Sequence, residues 1–167
     1  MTRRELLRKW TAYGLAFILV WLAERALLGR WPVLGVTPVL MPIASVAVAF
    51  LEGPIAGAGF GIAAGVVCTA AYFGSHGGMC LFLSVMGAAV GLATQYGLSQ
   101  NAAGHLICSA GVLVLRDLGG ILVRLLRGQS AGALFATAGK EIFWSLCFAP
   151  LIYLLFRAVH RRVGRPD

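Results

Sequence analysis

Long apolar runs, separated by short polar or glycine-rich breaks, occupy almost all of this 167-residue chain. A helix that crosses a bilayer needs about 20 mostly apolar residues, so six such helices would use about 120 residues and leave room only for short loops and two tails. The pattern predicts an all-α, polytopic membrane bundle of about six transmembrane helices in one integral membrane domain, residues 1–167. The predicted spans are approximately residues 10–28, 32–51, 54–73, 79–98, 102–126 and 141–156.

Two of the predicted spans are less regular than the others. The second contains Pro32, Pro38 and Pro42, each of which removes a backbone donor and can kink a helix. Residues 32–51 are therefore either a full crossing or, counted from Pro38, a shorter broken or re-entrant segment. In the last span, Lys140 and Glu141 interrupt an apolar stretch that begins at residue 131. We expect the part before these two charges to be interfacial or loosely helical.

The cations lie mainly at the two ends of the chain. The formal net charge is +8, although only 12% of residues are charged. A protein that binds nucleic acid needs a basic face on a folded surface, whereas Lys and Arg that bracket apolar runs mark the cytoplasmic ends of membrane helices. We expect contact with membrane lipid, no nucleic-acid partner, and both termini in the cytoplasm. Eight of the fourteen cations flank the first and last runs: Arg3, Arg4, Arg8, Lys9, Arg157, Arg161, Arg162 and Arg165.

The sequence lacks the usual signatures of an enzyme. Ser109 has no flanking glycine of the kind found at a nucleophile elbow, and His105, one helical turn earlier, has no carboxylate nearby to orient it. The aspartates, Asp117 and Asp167, are too few to form an acidic cluster that binds catalytic metal ions. We therefore expect no enzymatic activity, catalytic residue, cofactor or metal site.

Small residues recur at every fourth position of the third predicted span and appear again in the fourth. This spacing lines one groove of a helix, where another backbone can approach closely. The groove has two interpretations: packing within this chain's own bundle, including the third helix against the fourth, or an interface for the span of a partner protein. The residues are Gly53, Gly57, Gly61, Gly65 and Thr69 in the third span, and Gly87 and Gly91 in the fourth.

The fifth predicted span carries two intramembrane charges, Arg116 and Asp117. Neighbouring residues lie about 100° apart around a helix, so we expect that the two do not simply neutralise each other on one face. Charged groups at membrane depth mark functional sites. Arg116 is, however, only about 10 Å from the predicted helix end, within reach of the interface by snorkelling. We favour structural pairing or snorkelling over an ion or ligand pathway.

Several segments, none diagnostic alone, carry a resemblance that extends over nearly the whole chain. They are Pro38-Val39-Leu40, Glu52-Gly53-Pro54, the stretch from Gly57 to Gly65 with Phe60-Gly61, Gly77-Gly78, Asn101, Glu141-Ile142-Phe143-Trp144-Ser145 and Pro150-Leu151-Ile152-Tyr153, followed by a basic tail. Together they resemble the rod shape-determining MreD family of bacterial cell-wall elongation. The chain departs from that family at Thr69, where many members carry an acidic residue.

The resemblance implies a non-enzymatic, multi-pass protein of the bacterial inner membrane. Its implied partners are a bitopic MreC-like protein, an MreB-like cytoskeletal protein, a RodA-type glycosyltransferase and a class B penicillin-binding protein. The family is similar in fold to the substrate-binding S components of energy-coupling-factor vitamin transporters, which supplies an alternative function. Vitamin capture requires several polar or aromatic groups that converge from outer loops, and the loop at 74–78 offers Ser75 and His76 alone. We therefore favour a scaffold whose glycine groove receives a partner's span.

Overall fold

The computed structural model describes residues 3–28, 35–71, 78–96, 101–126, 128 and 130–163. The long regular elements within these ranges are helices, which confirms the predicted all-α class. The first helix continues directly into one π-helical turn, Glu24–Leu28. The six α-helices are α1 (Arg3–Ala23), α2 (Met41–Glu52), α3 (Pro54–Ala71), α4 (Gly78–Gln95), α5 (Ala102–Leu126) and α6 (Ala131–Val163).

Four helical segments of the described chain are long and apolar enough to cross a membrane: Leu6–Ala26, α4, α5 and α6. These segments are those of a multi-pass membrane protein, as the sequence predicts. The other two helices are apolar but do not reach this length over their apolar stretch, which is Met41–Glu52 in α2 and Pro54–Ala70 in α3, so the count of six full crossings stays a prediction. Parts of three predicted spans, at 32–34, 72–73 and 97–98, lie outside the described residues, as does most of the loop at 74–78.

The centre of the bundle is α2, a helix of 12 residues. At 1.5 Å per residue it is about 18 Å long, less than the roughly 30 Å of a bilayer's hydrocarbon core. Ten consecutive residues, Met41 to Phe50, are buried, as expected for a helix that is apolar on all sides. The helix begins at Met41 rather than near residue 32, and Pro42 lies in its first turn, where proline is tolerated.

The helices run back and forth, so that the start of α1 and the end of α6 lie at the same end of the bundle. There, Lys9 and Tyr13 of α1 contact Glu52 of α2, which also contacts His160 of α6. We call this the basic end, because Arg157, Arg161 and Arg162 also lie in the last two turns of α6. At the opposite end of α2, Glu24 accepts a hydrogen bond from the backbone N–H of Leu40 at 3.0 Å.

The last helix has no break at Lys140 and Glu141. It runs from Ala131 to Val163 over 33 residues, which corrects the expectation of a loosely helical first part. One reason is that the carboxylate of Glu141 pairs with Arg116 of α5, so its charge does not interrupt the helix. Between residues 122 and 140 no described residue is buried. We call this part of α5 and α6 the α5–α6 projection.

Candidate functional site

The predicted glycine groove is the contact between α3 and α4. A side-chain carbon added to Gly57 would lie 2.6 Å from the carbonyl oxygen of Gly87, and one added to Gly61 would lie 2.7 Å from the carbonyl carbon of Leu83. At Gly65 the nearest atoms belong to the backbone of Cys80, including its nitrogen at 2.9 Å. Only glycine allows the two backbones to come this close, so these residues hold the two helices together.

The contact continues on α4 and ends at the α2–α3 junction. A side-chain carbon on Gly91 would meet the backbone of Gly53 and Pro54, the first of these at 2.5 Å. Gly53 contributes its backbone to this contact, and it has to be glycine for a separate reason. Its φ of +91° lies in the region that favours glycine, and its N–H ends α2 by donating to the oxygen of Ala49 at 3.0 Å.

The glycine faces are thus filled from within the chain, as the internal-packing interpretation requires. A partner's span has no open surface at Gly57, Gly61, Gly65, Gly87 or Gly91, which corrects the expectation that it packs there. Thr69 belongs to the same contact, because its hydroxyl donates to the oxygen of Gly65 at 2.8 Å and lies 3.8 Å from Cys80 Sγ.

The two predicted intramembrane charges form an ion cluster with α6. Arg116 Nη1 lies 3.0 Å from Asp117 Oδ1 and 2.6 Å from Glu141 Oε1. The expectation that Arg116 and Asp117 do not pair is therefore corrected: a long guanidinium side chain reaches across the roughly 100° that separates adjacent positions. The side chains of Arg116, Asp117 and Glu141 are 28%, 10% and 22% exposed, respectively. The geometry fits structural pairing between α5 and α6.

A second ion cluster, at the basic end, is absent from the sequence-based predictions. Glu52 Oε1 accepts a hydrogen bond from Tyr13 Oη at 2.7 Å and lies 2.9 Å from His160 Nδ1, while Oε2 contacts Lys9 Nζ. Burial by itself would raise the pKa of Glu52, but the hydrogen bonds from Lys9, Tyr13 and His160 outweigh it and lower the pKa below its ordinary value. One carboxylate thus joins α1, α2 and α6.

The sequence signal for this second cluster was weak. Glu52 precedes Gly53 and Pro54, so it looks like an ordinary residue of a turn. Its partners come from 43 residues earlier and 108 residues later in the chain. A glutamate at the end of an otherwise apolar helix, with a lysine near the start of another, is the one local hint.

The weak Ser/His pair of α5 lies in a closed part of the core. Ser109 Oγ is 3.4 Å from His105 Nε2, and both residues are fully buried. The His105 ring packs against Phe50 and Tyr153, with ring centres 5.9 Å and 5.1 Å away. Within the described ranges, no carboxylate accepts a hydrogen bond from His105. The pair has the environment of a buried structural contact.

Fold and sites together define an all-helical, multi-pass membrane protein whose charged groups tie its own helices to one another. The described residues contain no group of three or more His, Cys, Asp or Glu side chains placed to hold a metal ion. No protein family, curated protein or solved structure matches this chain.

Proposed function

We propose that the chain is a non-enzymatic membrane scaffold of the bacterial machinery for cell shape and peptidoglycan elongation. In this proposal it lies in the inner membrane with both termini cytoplasmic, and it binds the single span of an MreC-like protein. Through that partner it works with an MreB-like protein, a RodA-type glycosyltransferase and a class B penicillin-binding protein. The basis is the resemblance of the sequence to the MreD family, together with one feature of the fold.

That feature is the α5–α6 projection. Beyond the ion cluster that joins them, α5 extends from Arg116 forward to Leu126 and α6 extends from Glu141 back to Ala131. Each extension is ten residues, or about 15 Å, long. Large apolar side chains on both helices are open, including Leu122 at 61% and Phe135 at 53% exposure. Uncovered apolar helix pairs of this kind are typical of surfaces that contact other proteins or lipid.

The projection also carries a row of small residues that is separate from the α3–α4 contact. On α6, Gly132, Ala136 and Gly139 recur at spacings of four and three, which places them on one face. Side-chain carbons added to Gly132 or Gly139 would meet nothing within 4 Å. Close approach of a second helix needs a face of this kind, because lipid tails give membrane helices no hydrophobic reason to associate. We therefore place the partner's span on this face.

The S-component alternative has less support. A groove of about 660 Å³ lies between α1 and α6, and every residue that lines it is apolar. A vitamin site needs a few polar groups placed among apolar ones. Glu52 and Arg116 are each bonded to residues of their own cluster instead, at Tyr13 and Glu141, respectively.

The first experiment is affinity purification of the tagged protein in mild detergent, with mass spectrometry of the proteins that come with it. Recovery of an MreC-like protein with wall polymerases supports the scaffold. Recovery of a transmembrane coupling subunit with a pair of ATPases would instead identify a vitamin-uptake component and overturn the proposal.

The proposed interface has a matched test. Gly139→Leu adds a bulky side chain to the open face of α6, and Gly59→Leu adds the same side chain to an open position of α3. Both changes favour the helix, since leucine has the higher helix propensity, so neither should prevent folding. We expect Gly139→Leu to lose the co-purified partner and Gly59→Leu to retain it. Retention by both variants would place the interface elsewhere.

A further inference from the structure

Three arginines at the basic end line one hollow of about 330 Å³. Arg157, Arg161 and Arg162 surround it together with Leu154 and Ala158. All three are exposed, and none forms an ion pair with another residue of the described chain. Arg157 also lies over the ring of Tyr153, 5.8 Å from its centre. Glu52, a carboxylate of this end of the bundle, is bonded by Lys9, Tyr13 and His160. Among the side chains that the structure describes, the hollow therefore has a positive lining with no carboxylate paired to it.

The arginine hollow adjoins the apolar groove between α1 and α6. Leu154 lines both the hollow and the groove of about 660 Å³. The groove continues away from the basic end along Leu151 and Phe148 of α6, with Leu19 and Ala23 of α1 on its other side. From Arg161 to Phe148 is 13 residues of helix, or about 20 Å. That distance covers the roughly 15 Å from the edge of the hydrocarbon core to the bilayer centre.

We infer that the arginine hollow and the adjoining groove form one binding site for an anionic phospholipid. The lipid phosphate binds Arg157, Arg161 and Arg162, and one acyl chain lies in the groove past Leu154. Guanidinium groups bind phosphate oxygens through paired hydrogen bonds, which a single lysine does not provide. Three guanidiniums lining one hollow also disfavour a zwitterionic headgroup, whose amine would lie among like charges. The site is independent of the scaffold function proposed above.

The charge part of this inference is tested on the purified full chain in detergent by native mass spectrometry. Phosphatidylglycerol and phosphatidylethanolamine with the same acyl chains are added in turn. The test variant is Arg157→Gln with Arg161→Gln, and the matched control is Arg4→Gln with Arg8→Gln, which removes the same charge from exposed positions of α1. We expect the wild type to retain phosphatidylglycerol preferentially, the test variant to bind it about 30-fold more weakly, and the control to change by less than about threefold.

Two outcomes would overturn the charge part. One is equal retention of the two lipids by the wild type. The other is equal weakening by the test and control pairs, which would show attraction to the whole basic end rather than to a site. Thermal unfolding of each variant is measured in parallel, so that a loss of fold is not mistaken for a loss of binding.

The groove is tested separately from the charges. Leu154→Trp fills the junction between hollow and groove while it leaves the arginines in place, and Leu81→Trp adds the same side chain to an exposed position of α4. We expect only Leu154→Trp to weaken phosphatidylglycerol binding, by about tenfold, which corresponds to the loss of about two buried methylene groups. Glycerol 3-phosphate should compete poorly. Competition at the same concentration as the lipid would show a site for free phosphate groups and overturn the lipid assignment.

Discussion

Gly57 and Gly87 meet backbone to backbone, because a side-chain carbon on Gly57 would lie 2.6 Å from the Gly87 carbonyl oxygen. The reverse also holds, since a side-chain carbon on Gly87 would lie 2.7 Å from the carbonyl carbon of Gly57. This mutual contact places the predicted glycine repeat inside the protein. A substitution there should therefore lower the stability of the fold, because the groove is filled by the protein's own helices.

Gly57→Leu is therefore expected to destabilise the protein rather than to remove a partner selectively. The new side chain has to separate α3 from α4 or displace Ala49 of α2, and overpacking of this kind costs about 1–3 kcal/mol or more. The check is the thermal midpoint of the purified protein in detergent, with Gly59→Leu as control because its added carbon meets nothing within 4 Å. Equal midpoints for the two variants would contradict the α3–α4 contact described here.

The Arg116 cluster gives a second stability prediction. Arg116→Gln leaves the carboxylates of Asp117 and Glu141 close together without their shared cation. We expect a loss of about 1–3 kcal/mol, because a half-buried cluster that loses its cation leaves two like charges uncompensated. Arg124→Gln, on the exposed surface of the same helix, should cost less than about 0.5 kcal/mol. The check is thermal unfolding of the two variants under the same conditions. Similar losses of stability in both would argue against the ion cluster at Arg116.

Apolar pattern alone predicts the helical class and the approximate positions of most helices, because each long helix is one continuous hydrophobic run. It also locates the glycine contact, since a four-residue repeat of small side chains has one common use in membrane helices. It does not predict where α2 begins. Proline can end, kink or start a helix, and the N–H donors of Val39 and Leu40 are bound by Ser145 and Glu24, far from them in sequence.

The two ion clusters are also hard to predict, because their residues lie far apart in the sequence. The sequence marks Arg116 as an unusual intramembrane charge, but its partner Glu141 lies 25 residues away and has the pattern of a boundary between segments. In the other cluster, Lys9 and Tyr13 are four residues apart on α1, but no local spacing links them to Glu52 or to His160. Contacts of this kind depend on which helices are neighbours, and hydrophobic periodicity carries no information about that.

Stability should fall in acid partly through Glu52. Its pKa in the folded protein is lowered by Lys9, Tyr13 and His160 from the ordinary 4.5, so the unfolded chain takes up a proton first as the pH falls. The contribution of Glu52 is therefore present above about pH 4.5 and is lost as the pH drops through the lower, folded pKa.

The predicted direction of this pH dependence is checked by comparing the wild type with Glu52→Gln. We measure the thermal midpoint of each protein from pH 7 to pH 3.5. The wild type should be the more stable near neutral pH, and the difference should shrink in acid. A constant difference over this range would mean that the Glu52 carboxylate gains nothing from its three partners.

The start of α2 offers a test of how the central helix is fixed. Ser145 Oγ accepts a hydrogen bond from the backbone N–H of Val39 at 2.9 Å, and both residues are buried. Ser145→Ala leaves that N–H without its acceptor in an apolar setting, which costs about 1–3 kcal/mol. Thr137→Ala, which removes an exposed hydroxyl in the interior of α6, should change stability by less than about 0.5 kcal/mol. Amide hydrogen exchange supplies a readout beyond stability: in Ser145→Ala, exchange should quicken at residues 39–43 more than within α4. Uniform acceleration along the chain would instead show that Ser145 supports the bundle in general and does not hold the entry to α2.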